Sequence, residues 1–127
     1  MQTESFLVRL KFGSTPWNLW RRENPDVAIV LDGADLSGMI LTGVDFSRVS
    51  LRGAQMHATN LMNADLRGAD LTNANLVEAD LIMAKLQDAI LSGANLREAD
   101  LLGADLTGAR CSGEDLTGAL HVPSTRP

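Results

Sequence analysis

From Leu31 onward a large apolar residue recurs at every fifth position, and that period is the strongest constraint on the fold. The centres run through Leu36, Leu41, Phe46, Leu51, Met56, Leu61, Leu66, Leu71, Leu76, Leu81, Leu86, Leu91, Leu96, Leu101 and Leu106. Cys111, Leu116 and His121 close the series, and fifteen of its nineteen centres are Leu. Two residues before each centre lies a second small apolar slot, Ala in thirteen cases, such as Ala34, Ala64 and Ala104. On an α-helix five residues advance about 500°, so successive centres would fall roughly 140° apart and form no stripe. On a strand an odd period sends alternate centres to opposite faces. The chain keeps every centre inside only by turning a corner once per repeat.

The turn residues occupy matching slots. Ten of the eleven glycines stand two residues after a centre, from Gly33 to Gly118, and Asp or Asn precedes most centres, as at Asp35, Asn60, Asp65 and Asn75. These residue types accept φ > 0 or bond their own backbone. The chain here resembles the pentapeptide-repeat family, whose pattern A-(D/N)-L-X-X is met without exception from Asn63 to Leu76. The resemblance implies an all-β solenoid, a right-handed quadrilateral β-helix with four repeats per coil. Nineteen repeats then give four to five coils, a length of about 22 Å at strand spacing. In such solenoids each coil touches only its neighbours, and both ends need covers.

Three segments are expected: an N-terminal strand/helix cap over 1–28, the β-helix over 29–121 and a tail over 122–127. In the first, Phe6, Val8, Leu10 and Phe12 alternate with Leu7, Arg9 and Lys11, which predicts a short strand. Ser14-Thr15-Pro16 predicts a helix start with a capping hydroxyl, running through Arg21 and ending before Pro25. Trp17 and Trp20, three apart on one face, are expected to plug the first coil rather than to stack on a ligand. The stretch WNLWRRENP (17–25) also resembles the lead-in of pentapeptide repeats in many bacterial proteins. At the other end the pattern decays: Cys111 replaces Leu, Glu114 replaces Ala, and His121 fills a centre. Glu114 is expected near solvent, since a lone buried carboxylate is costly. Fraying and coverage by a second chain are both compatible with that end.

Composition narrows the function. One cysteine excludes an internal disulfide, no apolar run reaches membrane-span length, and nothing near Met1 reads as a secretory leader, so a cytoplasmic protein is the expectation. His57 and His121 lack an evident acid, base or nucleophile nearby, and no ligand spacing suits a metal. The expectation is therefore no enzyme, no cofactor, no metal and no small-molecule substrate.

Residues 29–121 carry 13 acids and 6 bases, a net of −7, which disfavours direct nucleic-acid binding. Some members of the family resemble duplex DNA and occupy its site on type II topoisomerases such as gyrase. A duplex about 22 Å long would hold about 13 charges, roughly twice the net charge here. The acidic rows are also interrupted by bases, Asp45–Asp65–Lys85–Asp105 being one. A solubilising acidic surface is favoured over an inhibitor or protector of a topoisomerase.

One wall stands out. Met62, Ile82 and Leu102 recur at twenty-residue spacing in the outward slot after the centre, where Ser, Thr or Arg is common elsewhere. Ile40 and Met83 share that face, and Val122 extends it. A strip of about 300–500 Å² is within the range of an ordinary monomer's largest patch. Self-packing along the wall and docking of another protein or a second copy are the two readings. The second makes the chain a non-catalytic interaction or scaffold module.

Overall fold

A computed structural model describes residues 2–124. Parallel bridges join residues twenty apart on four walls. One wall links Val30, Ser50, Asp70, Ile90 and Arg110, and the next links Asp35, Gln55, Asn75 and Asn95. The third links Ile40, Asn60, Asp80, Asp100 and Leu120, and the fourth Asp45, Asp65, Lys85 and Asp105. Twenty residues therefore complete one coil, four repeats each. Each wall contributes single bridges rather than long strands, because a corner follows every repeat.

The corner chemistry is uniform. The C=O of Leu31 accepts from the N–H of Ala34 at 3.0 Å while Gly33 between them holds φ 69°, as a type II turn requires. The same closure recurs to Leu106 and Ala109 at 3.0 Å. Where the third turn residue is not glycine the backbone is left-handed all the same, at Arg48, Ala58, Asn63, Asn73, Glu78, Met83, Asp88 and Glu98. Asp or Asn before the centre then turns back on the main chain: Asn60 Oδ1 accepts from Met62 N–H and Asp80 Oδ1 from Ile82 N–H, each at 3.0 Å.

Inside, the centres from Leu31 to Leu106 and the small slots between them form one continuous core. Thr59 is the exception among the small slots. Its buried hydroxyl donates to the C=O of Leu36 at 2.8 Å and is satisfied there. Larger residues gather near the N-terminal end, with Ile29, Val44 and Val49 where Ala stands later and Phe46 and Met56 at centres.

The cap is two helices, α1 (Gln2–Leu10) and α2 (Ser14–Glu23). The expected strand over Phe6–Phe12 is thus replaced by helix. Phe6 and Leu10, four apart, share the face that enters the core, while Val8 and Phe12 are exposed. A short apolar run fits either period, and burial against the first coil selects the helical one. α2 begins where expected, but without the hydroxyl cap: Gly13 is the N-cap, and Ser14 Oγ is buried without a partner.

Trp17 is fully buried over the first coil, with its ring edge-on to Phe46 at 5.9 Å. Its Nε1 donates to the C=O of Asp45 at 2.9 Å, and Arg21 Nη1 donates to the same oxygen at 2.9 Å. Asn18 accepts from Asp45 N–H at 2.7 Å and donates to Gly43 C=O at 2.9 Å, and Arg21 Nη2 reaches Ser47 C=O at 3.0 Å. Within the solenoid, groups in these slots pair with the preceding coil. On this wall α2 side chains replace the coil that is missing. Burial lowers the pKa of the Arg21 guanidinium, and Asp45 beside it opposes that shift.

The other end loosens and then recovers. Gly113 alone of the repeat glycines is not left-handed, and Asp115 makes no bridge. Its carboxylate instead accepts from Gly93 N–H at 3.1 Å and from Ser112 N–H at 2.9 Å. Pairing resumes at Leu120, and Cys111, Ala119 and Val122 pack on the core. Leu101 and Leu106 are fully buried within the single chain. Glu114 is exposed, and so is His121, which leaves the inward row. Residues 125–127 of the expected tail lie outside the described residues.

Candidate interaction face

The third wall carries the apolar strip in two parallel rows. One row starts at Ile40 and ends at Leu120, with Asn60, Asp80 and Asp100 between them. The other row, two residues on, holds Met62, Ile82, Leu102 and Val122, with Met83 at the neighbouring corner. Ile40 is 75% exposed, Met83 55%, Leu102 52% and Leu120 46%. Met62, Ile82 and Val122 are half-buried. The strip is therefore partly covered and still leaves its ends and corner open. Met83 lies across the next coil, where a Cβ on Gly103 would collide with its Sδ.

Sequence reasoning missed Leu120. Its signal was present, since Leu120 fills the slot that Asp or Asn usually takes, as Ile40 does. The same reasoning left out Val8 on α1, Phe12 in the turn after it and Leu19 on α2, all exposed; helical phase, absent from a strand reading, would have placed Val8 outward.

The polar groups around the strip are mostly satisfied. Leu102 N–H donates to Asp100 Oδ1 at 3.0 Å, and His121 Nδ1 lies 2.9 Å from the same oxygen. The His121 contact first, then the Leu102 N–H, holds the Asp100 carboxyl below its usual pKa. His57 Nε2 lies 3.7 Å from Glu78 Oε2. Both histidines thus have a carboxylate neighbour, which corrects the expectation of none. His57, Glu78 and His121 are exposed, and Asp100 is partly buried. Among the described residues no cluster of His, Cys, Asp and Glu has the arrangement of a metal site.

A concavity of about 440 Å³ lies away from this wall, between α1 and α2. Ser5, Val8, Arg9, Phe12, Pro16 and Trp20 line it. Arg9 stacks 4.8 Å over the half-buried Trp20 ring, and Trp20 lies 5.4 Å from Trp17. No acid–base pair faces the hollow. Among the described residues no helix is long and apolar enough to cross a membrane.

Comparison with known proteins gives a consistent result. The pentapeptide-repeat family profile matches residues 30–68, 57–93 and 84–120, with eight copies of the repeat. A crystal structure of a pentapeptide repeat protein from the Arabidopsis thaliana thylakoid lumen aligns with a TM-score of 0.61 at 34% identity. That alignment covers 68% of this chain and 64% of the plant protein, so the chain spans less than two thirds of that relative. HetL of the cyanobacterium Nostoc, involved in regulating heterocyst differentiation, is 41% identical over 62% of this chain and 39% of its own, with a TM-score of 0.40. A third pentapeptide repeat protein, also from Nostoc, is 28% identical over 85% of this chain and 95% of its own, with a TM-score of 0.47. No curated protein sequence matches the chain. With its repeats matched over most of its length, the chain belongs to the pentapeptide-repeat family.

Proposed function

We propose that the chain is a non-catalytic protein-interaction module, its solenoid having the right-handed, four-sided form of its family. The observation that carries this reading is the apolar strip on the third wall, bounded by exposed Ile40 and Leu120 and including Leu102 and Met83. On the other walls the equivalent slots are polar or charged except at Val77. A rigid wall offers such a strip to a partner at little conformational cost, and apolar groups outlined by polar ones suit a protein surface.

The alternative, a DNA-mimicking inhibitor or protector of a type II topoisomerase, draws less support. A mimic needs carboxylates free to present charge. Arg67 closes on Asp65 at 2.7 Å and Arg52 on Asp70 at 3.1 Å, while Lys85 interrupts the fourth wall.

The two readings part in a binding experiment on the immobilised full chain. Wild type is compared with the Ile82→Glu/Leu102→Glu double variant across a salt series. A partner retained by wild type, lost by the variant and nearly insensitive to salt supports the apolar strip. Retention that ignores the variant and weakens steeply with salt contradicts it and favours the acidic surface.

A further inference from the structure

The cap does not close the first coil evenly. On the Asp45 wall, Trp17, Asn18 and Arg21 bond the main-chain groups that face the missing coil. On the Val30 wall, Thr3 Oγ1 donates to Val30 C=O at 3.2 Å. On the Asp35 wall, no group among the described residues bonds the main-chain N–H or C=O of Asp35 or the C=O of Ser37. In later coils the same slots are paired: Gln55 N–H donates to Ala34 C=O at 2.8 Å, and Gln55 C=O accepts from Leu36 N–H at 2.7 Å. The Asp35 wall thus ends in an open strand edge, as does the Ile40 wall, where no group among the described residues bonds the main-chain N–H or C=O of Ile40.

A second observation falls on the Asp35 edge. A groove of about 270 Å³ runs between it and α1, lined by Glu4, Leu7 and Val8 from the helix, by Lys11 just past its end, and by Asp35 and Met39 from the coil. Glu4, Leu7 and Val8 occupy one face of α1 at spacings of three and one. One side of the slot offers main-chain hydrogen bonds and the floor offers Leu7, Val8 and Met39. Of its charged groups, two are acidic and one basic.

We propose that this slot takes a short extended peptide segment of another protein, added as a strand to the Asp35 edge, with one apolar side chain toward Leu7, Val8 and Met39 and a basic side chain toward Glu4 and Asp35. Extended backbone is the occupant that supplies an acceptor for the Asp35 N–H and donors for the Asp35 and Ser37 C=O groups at strand spacing. The excess of carboxylates selects a Lys or Arg beside the apolar anchor. The corner after Ser37 limits the pairing to one wall, so the added strand is only a few residues long and binding is weak, with Kd on the order of 0.1–1 mM. The slot is separate from the Met62–Ile82–Leu102 strip, and the two stand or fall independently.

The test is amide shift mapping by NMR on the full chain, titrated with a short end-blocked peptide alternating Val and Thr around one Lys. Shifts at Leu7, Val8, Asp35 and Ser37, with slowed exchange of the Asp35 amide, are expected. The same peptide methylated on alternate backbone amides should bind about tenfold more weakly, since it loses main-chain bonds. The Glu4→Gln/Asp35→Asn variant should weaken the unmodified peptide roughly two- to fivefold, and Ile82→Glu/Leu102→Glu should leave its binding unchanged. The proposal is overturned by the absence of shifts at millimolar peptide, or by equal binding of the methylated form. It is equally overturned by shifts confined to the third wall or to the α1–α2 hollow. Concentration-dependent shifts at Asp35 without peptide would assign the edge to a second copy and also overturn it.

Discussion

At Ala58 the backbone holds φ 56° with an exposed methyl group that bonds nothing. A side chain in the left-handed region costs about 1–2 kcal/mol relative to the right-handed one, and glycine escapes that cost while losing more entropy on folding. Ala58→Gly should therefore raise stability by about 0.5–1 kcal/mol, read from the denaturant midpoint at unchanged slope. A neutral or destabilising result would mean that Ala58 gains from a contact outweighing its backbone strain. Asn63 and Asn73 hold the same conformation with residues that tolerate it better. Gly103 is a different case, because its substitution meets both a positive φ and the side chain of Met83.

Among elements, α2 bears the N-terminal end. Trp17 combines full burial, an edge-on contact with Phe46 and an indole bond to the first coil. Trp17→Ala should cost about 3–5 kcal/mol, observed as a large fall in the thermal midpoint. A loss below about 1 kcal/mol would show that the solenoid end is stable without the plug. The helix carrying Trp17 was legible because the helix signals around Pro16 are strong, whereas Trp20, expected beside it over the coil, is half-buried and lines the hollow between α1 and α2. The coil was legible for a related reason: a five-residue period is compatible with no other regular element. α1 was not legible, since Phe6, Val8, Leu10 and Phe12 satisfy strand alternation while Phe6 and Leu10 also satisfy the helical period. Only contact with the first coil distinguishes them. The bonds of Asn18 and Arg21 to Gly43, Asp45 and Ser47 also left no local pattern, because they join residues far apart in sequence. At the opposite end, decay at Cys111 and Glu114 was readable, whereas the return of pairing at Leu120 depends on Asp115 substituting its carboxylate for main-chain bonds.

For the whole molecule, one device repeated along the walls sets the response to acid. The Asp35 carboxyl is lowered first by the Ser37 N–H, and the Asp105 carboxyl by the hydroxyl and N–H of Thr107. Burial raises the Asp65 and Asp70 carboxyls, but the bonds from Arg67 and from Thr72 and Arg52 outweigh it, so both are lowered. Each folded-state pKa lies below its unfolded value, so these groups contribute stability above the ordinary Asp value of about 3.9. That contribution is lost as pH falls through the folded values. The thermal midpoint should accordingly change little from about pH 7 to 5 and drop below about pH 5. Asp105→Asn, which keeps an acceptor for the Thr107 N–H, should flatten that drop. A midpoint that holds to about pH 3, or rises on acidification, contradicts this sign.

The central claim is that the third wall, rather than an acidic face, meets the partner. The most direct measurement places a photo-crosslinking amino acid at Leu102 on that wall, or at Thr107 on the neighbouring acidic wall, in the full chain within its host cell. Discrete protein adducts from position 102, absent from position 107 and abolished by adding Ile82→Glu, are the predicted result. Adducts from 107 alone, or the same adducts from both positions regardless of Ile82→Glu, would contradict the account.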